Sequence, residues 1–216
     1  MTTVALNSQA RDAEQLLSDR HFVMQGERPR HLRPVPIGVL APELRALLCT
    51  DGTVVRALEM HALCRAAVTV VAEDERPVPP EVAPCLSIAA GTAATMRRVL
   101  ISTATWPEPA VCAESWIVYS RLPDGFSSLL GDSVQGIGQV LAEGHLESRR
   151  ELLWWGLSAP PPWASRPLVS PTLVRTYRVM CGGRVAIVIS EHFAIERAHG
   201  RYRWRTDTPK QDTQPA

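Results

Sequence analysis

The segment from Arg175 to Phe193, RTYRVMC-GG-RVAIVISEHF, narrows the choice of fold more than any other part of the chain. Two runs rich in β-branched and aromatic residues flank Gly182-Gly183, and glycine adopts the positive φ that a tight hairpin turn requires. The chain therefore builds an antiparallel sheet. TMRRVLIST and AVCAESWIVYSRLP read as two further strands, joined by a short TWPEP loop whose prolines cannot donate to a ladder. TVVRALEMHAL and RAAVTVVAE, rich in Val and Ala with partial alternation, read as two more strands of a sheet covered on one side. A meander follows from these runs.

Other segments read as helix or loop. From Ala41, APELRALLC places Leu44, Leu47 and Leu48 on one helical face, and Asp51-Gly52 supplies a turn. ERPVPPEVAP is a proline-dense loop. Residues 124 to 157 shift to helical spacing, with Val140, Leu141 and Leu152 among polar residues, so helices are expected to cover the sheet there. SAPPPWASRPLVSP is a proline-rich connector. Residues 1 to about 35 are polar, with ARDAEQLLSDR as a short helix and RPRHLRPVP unsuited to a regular core element, which makes an arm or lid. The polar tail after Trp204 is expected to be disordered.

Composition removes several function classes. A chain of 216 residues, 45% apolar and 21% charged, buries an ordinary core in one domain. Its 23 Lys and Arg against 22 Asp and Glu leave a net charge of +1, too little to gather nucleic acid or an anionic membrane. The N-terminus lacks a basic stretch followed by an apolar one, and no run approaches the roughly 18 apolar residues of a membrane span. A cytoplasmic protein acting on a small molecule is expected, and nothing in the sequence fixes its oligomeric state. Five scattered cysteines without a C-x-x-C pair argue against disulfides and zinc. His192 beside Glu191 suggests a metal only until strand geometry is considered, because adjacent strand residues point to opposite faces.

Two residues break the apolar pattern of their strands. By the two-residue period Val185, Ile187, Ile189, Glu191 and Phe193 share a face, which sets a carboxylate among apolar neighbours. Such a group is paired, protonated or reserved for chemistry. Alternatively the strand ends there and Glu191 reaches solvent, or Ala186, Val188 and Ser190 form the core face. In TMRRVLIST either Arg97, in line with Val99 and Ile101, or Arg98, in line with Met96 and Leu100, lies on the covered face. Arginine clamps a planar carboxylate through two hydrogen bonds and keeps its charge when buried, and a structural ion pair with Glu191 or Glu114 is the competing role. The tryptophans, including Trp154, Trp155 and Trp163, are assigned to packing.

Taken in order, LLCTDGTVVRALEM, MRRVLIS, CAESWIVYSRLP, GIGQVL and RTYRVMCGGRVAIVISEHF resemble the successive motifs of the chorismate pyruvate-lyase superfamily over roughly residues 40 to 195. The A-E-S segment and the Y-R-V-x-x-G-G hairpin are most similar to the actinobacterial-style branch that makes 4-hydroxybenzoate for phenolic lipids. The resemblance implies an α+β fold: an antiparallel sheet curled around a buried ligand cavity, closed by helical flaps. It divides the chain into an N-terminal arm or lid over 1–39, a lyase-like domain over 40–204 and a disordered tail over 205–216.

The resemblance also implies a site. Arg97 binds the carboxylate of the aromatic acid, Glu191 meets the ring hydroxyl and assists proton removal, and backbone groups at Thr53 and at Ile137 and Gly138 complete the pocket. Ubiquinone-pathway members carry a second arginine where this chain has Glu114, which sets Glu114 in the ligand region and leaves Arg178 or Arg175 to supply the missing cation. The implied reaction splits chorismate into 4-hydroxybenzoate and pyruvate with neither metal nor organic cofactor. A second reading is a divergent cyclase for a polyketide or other secondary-metabolite intermediate, recognised by a larger apolar pocket with Arg97 paired to Glu191. A third is a non-catalytic binding module for aromatic acids.

Overall fold

The computed structural model describes residue 16 and residues 20–131, 136–164 and 171–205. Seven antiparallel strands form one curled, open sheet in the order β1-β2-β3-β6-β5-β4: Ala66–Pro77 (β1), Ala93–Thr103 (β2), Trp106–Ile117 (β3), Arg149–Ser158 (β4), Thr172–Cys181 (β5) and Arg184–Ala198 (β6). Arg201–Trp204 (β7) pairs with the end of β6. The hairpin expected from the sequence is β5–β6, with Gly182 at φ 53° and Gly183 at φ 75°. Both values lie where only glycine sits without cost.

The helices are Pro42–Cys49 (α1), Val54–Ala62 (α2), Ala83–Leu86 (α3), Phe126–Gly131 (α4) and Ile137–Glu143 (α5). Two sequence expectations change here. TVVRALEMHAL is helix α2 and not a strand, because Val54, Val55 and Leu58 form its buried face and the Thr53 hydroxyl accepts from the Arg56 amide at 3.4 Å as an N-cap. Conversely, the end of the 124–157 stretch is strand β4, with Leu152 in the sheet. Proline placement also differs. Pro107 and Pro109 lie inside β3, but β6 pairs only with Val111–Ile117, so their missing donors interrupt no central ladder. The ERPVPPEVAP loop contributes the end of β1 and leads into α3.

Both faces of the sheet are covered. One face carries α1 and α2 over Trp155 and Phe193, and α4 and α5 over Tyr177, Ile187 and Ile189. The other packs Trp154, Val174, Val188, Met96 and Trp116 against α3 and Leu32. The described part of the N-terminal stretch runs along the outer edge of β4. Val23 N and Met24 N donate to Leu152 O and Leu153 O at 2.8 and 3.0 Å, and Phe22 and Leu32 are buried. That pairing covers an edge strand that would otherwise be open to another chain. The proposed N-terminal helix lies largely outside the described residues, as does the tail beyond Arg205.

A β-bulge in β6 corrects the face assignment made from period two. Val179 pairs with Ile187 but Met180 pairs with Val185, so one extra residue, Ala186, is accommodated in β6. Val185 therefore packs with Trp154 and Val188 on one face, while Ile187, Ile189 and Glu191 stay together on the other. Leu153 plays the same part in β4.

Candidate active site

On the helix-covered face, a cavity of about 50 Å³ is walled by Thr53, Arg97, Gly138, Arg150, Tyr177 and Glu191, with Val55, Val99, Ala113, Ser115, Ile137 and Ile189 around them. The sheet register explains why these residues meet. Arg97, Ser115, Ile189 and Tyr177 lie in one row across β2, β3, β6 and β5, and Val99, Ala113, Glu191 and Arg175 lie in the row beside it. Rows two residues apart share a face. Two strand spacings of ~4.8 Å and two residues of ~3.4 Å set the Arg97 and Glu191 Cα atoms about 12 Å apart across the cavity floor. Two helix starts complete the wall: Thr53 caps α2, and Gly136 N donates to Gln139 Oε1 at 3.3 Å at the start of α5. The first amides of a helix have no partner within it, which gives a cavity at such a start polar backbone groups.

The arginine alternatives resolve by parity. Arg97, 2% exposed, faces the cavity, and its Nη1 contacts Glu73 Oε2. Its Nη2 is buried without a hydrogen-bond partner. Arg98 points to the other face, where Nε donates to Glu114 Oε2 at 2.8 Å and the guanidinium lies 5.2 Å from the Trp163 ring centre. Tyr119 OH donates to Glu73 Oε1 at 3.4 Å, and burial, then Glu73, pushes its phenol up to about 12. Glu73 is thereby held where it orients Arg97 from the side.

Glu191 is 3% exposed and accepts three hydrogen bonds from protein donors. Arg175 Nε and Nη2 donate to its Oε2 at 3.0 and 2.7 Å, and Tyr177 OH donates to Oε1 at 3.1 Å. The remaining Arg175 nitrogen, Nη1, donates to the Leu47 and Thr50 carbonyls at the end of α1. Burial, then the negative charge of Glu191, raises the Tyr177 phenol well above its ordinary value. Each carboxylate oxygen accepts two hydrogen bonds, so Oε1 retains one acceptor site toward the cavity.

Several sequence expectations meet their structural outcome at this cavity. Arg97, Glu191, Thr53, Ile137 and Gly138 line it together. Glu114 does not: Ala113 and Ser115 of the A-E-S segment face in, and the intervening Glu114 faces out, where it accepts from Arg98 and from Trp116 Nε1 at 3.1 Å. Arg178 is likewise on the far face, donating from Nε to Glu151 Oε2 at 2.7 Å, because it is one residue out of step with Arg175 and Tyr177. Arg175 is on the correct face, but all three of its nitrogens serve Glu191 and the end of α1. The sequence reading missed Arg150, Tyr177 and Ser115. Tyr177 and Ser115 were recoverable from alternation once Arg175, Ala113 and Glu191 were placed. Arg150 was not, because its segment reads as helix.

A larger groove of about 690 Å³ lies on the opposite face, lined among others by Glu114, Trp154, Trp163, Thr176, Ser190 and His192. Several of its polar groups meet one another: the Thr176 and Ser190 hydroxyls at 2.9 Å, and the hydroxyl of neighbouring Thr172 with His192 Nδ1 at 3.1 Å. Both buried unpartnered side-chain nitrogens among the described residues, Arg97 Nη2 and Arg150 Nε, belong instead to residues of the smaller cavity. A buried polar group without a partner is costly and marks where a ligand would be recognised. No group of three or more His, Cys, Asp or Glu suited to a metal ion occurs among the described residues, and none of their helices is long and apolar enough to cross a membrane.

Comparison with known proteins sets the chain beside chorismate pyruvate-lyases. The profile of the chorismate pyruvate-lyase Rv2949c-like family matches residues 48–199. A chorismate pyruvate-lyase of Mycobacterium tuberculosis is 27% identical over 157 residues, which cover 70% of this chain and 79% of that protein. Its counterpart in Mycobacterium leprae is 26% identical over 168 residues, covering 76% and 80%. Among solved structures, PhnF from Mycobacterium smegmatis superposes with a TM-score of 0.52 at 11% identity, over 83% of this chain and 76% of that one. That last likeness is one of fold alone.

Proposed function

The chain belongs to the chorismate pyruvate-lyase Rv2949c-like family, and on that premise we propose that it splits chorismate into 4-hydroxybenzoate and pyruvate in the cavity between Arg97 and Glu191. The observation that carries the proposal is the buried, unpartnered Nη2 of Arg97 on the wall that also holds the free acceptor site of Glu191 Oε1. A ring bearing a carboxylate at one end and a hydroxyl at the other satisfies both. The carboxylate takes the charge-assisted hydrogen bond from Arg97, and the hydroxyl donates to Glu191.

In the reaction the bond between the ring carbon and the ether oxygen breaks, and its electron pair leaves with enolpyruvate. The proton on the hydroxyl-bearing ring carbon is lost, so the ring becomes aromatic, and enolpyruvate takes up a proton to give pyruvate. Glu191 Oε1 is the basic group beside that carbon on this reading, and Arg175 and Tyr177 fix its direction. Positioning supplies much of the acceleration, because two anchored ends leave the ring little freedom to turn. The features that would favour ring closure of a polyene, a large apolar pocket and an Arg97–Glu191 pair, are not those observed.

The test is incubation of the purified protein with chorismate alone, following pyruvate and 4-hydroxybenzoate, beside Arg97→Ala and Glu191→Gln. Turnover by the wild type that is lost in both variants supports the reading. A folded wild-type protein that releases neither product ends it.

A further inference from the structure

Resting on the reading that the cavity takes chorismate, we propose that Arg150 binds the second carboxylate of the substrate, the one on the enolpyruvyl side chain that departs as pyruvate. Arg97 faces Glu73, and Arg175 faces Glu191, so each of these cations has a carboxylate of the protein beside it. Arg150 has none among the described residues. Its Nη1 donates to the carbonyl of Asp51, and its Nε is buried without a partner. Among the described residues the cavity therefore carries one uncompensated positive charge and two unpartnered guanidinium nitrogens, on different arginines. A monocarboxylate would satisfy one of them; a dicarboxylate satisfies both.

Arg150 is also held ready. The Asp51 carbonyl fixes one end of its guanidinium, and its flat face lies 5.9 Å from the centre of the Tyr177 ring. Gly138 leaves it room, since a Cβ there would come within 3.1 Å of Nη2. A guanidinium restrained by two neighbours loses little freedom on meeting a carboxylate. Arg150 sits at the partly exposed start of β4, whereas Arg97 is fully buried, so the two arginines mark a shallow and a deep end of the site. The side-chain carboxylate takes the shallow end, and the ring carboxylate the deep one.

The experiment is a comparison of two ligands on the full chain. Steady-state turnover of chorismate and inhibition by added 4-hydroxybenzoate, which lacks the side chain, are measured for the wild type, Arg150→Gln, Arg150→Lys and Arg97→Gln, with thermal unfolding of each. Loss of one charge-assisted hydrogen bond lowers kcat/KM for chorismate roughly 10- to 100-fold in Arg150→Gln, and leaves the inhibition constant of 4-hydroxybenzoate within about threefold. Arg150→Lys recovers part of the loss, and Arg97→Gln weakens both ligands. Equal weakening of both ligands by Arg150→Gln, or no effect on chorismate, overturns the assignment while the lyase reading stands. Absence of wild-type turnover overturns both.

Discussion

Replacing Arg175 by methionine isolates the contribution of one buried charge pair. Arg175 is 1% exposed and makes four hydrogen bonds, two to Glu191 Oε2 and two to the carbonyls of Leu47 and Thr50. The substitution fills similar volume but leaves the Glu191 carboxylate buried with only the Tyr177 hydroxyl to support it. Uncompensated burial of this kind costs about 3–5 kcal/mol. Glu191→Gln keeps an acceptor oxygen for Arg175, and Nη1 retains both carbonyls, so its cost is smaller, about 1.5–3 kcal/mol. In the double variant no buried carboxylate remains, and the combined loss falls short of the sum by at least about 1.5 kcal/mol. Equilibrium unfolding in urea, read at constant slope against denaturant, supplies the four free energies. Additivity within about 0.5 kcal/mol would show that Arg175 and Glu191 are not coupled, and the view of Arg175 as the fixed support of Glu191 would fall.

Glu114→Gln tests the parity argument: because Glu114 faces away from the cavity, kcat/KM for chorismate stays within about twofold of wild type, and a tenfold loss would return Glu114 to the ligand region. Gly138→Ala sets a methyl group 2.7 Å from Thr53 Cγ2 and 3.1 Å from Arg150 Nη2, and displacement of either wall residue lowers kcat/KM by at least about tenfold in steady-state assays of the folded variant. Gly183→Ala, at φ 75°, costs about 1–2 kcal/mol in denaturant unfolding without altering KM. His192 carries the pH dependence: burial, then the nearby His31, lowers its imidazolium from 6.5 to about 4. The unfolded chain then binds the extra proton between those values, so stability is full above pH 6.5 and falls by up to about 3 kcal/mol as pH drops toward 4. His192→Gln flattens that slope in thermal unfolding measured from pH 7 to 4, and an unchanged slope would exclude His192 as its source.

How far the sequence revealed the site depends on how local each signal was. The Gly182-Gly183 turn and the alternation through Ile187, Ile189 and Glu191 are properties of neighbouring residues, and they located the β5–β6 hairpin and the buried carboxylate correctly. Alternation also left a choice between Arg97 and Arg98 that only the paired strands settle, since a face is covered or open according to what packs on it. Val185 was misplaced because a bulge shifts one residue without a mark in the pattern. Val54, Val55 and Leu58 suited strand and helix alike; the Thr53 cap decides for helix, and with that helix Thr53 comes to the cavity wall.

Arg150 was furthest from reach. Its segment reads as helix, its contacts are with Asp51, Gly138 and Tyr177 from three other elements, and none of these is close to it in sequence. A charge that is exceptional only because no opposite charge stands near it is a property of the assembled wall. The same holds for Glu191: as a residue out of pattern it could have been a ligand group or half of an ion pair, and in the fold it is half of an ion pair that also lines the cavity. Arg175 consumes one of its oxygens while the other keeps an acceptor site toward the cavity. Structural pairing therefore gives no ground for dismissing a buried carboxylate from a site. The count of acceptor positions left over after pairing is the sharper criterion, and it points to the same cavity as the two unpartnered guanidinium nitrogens.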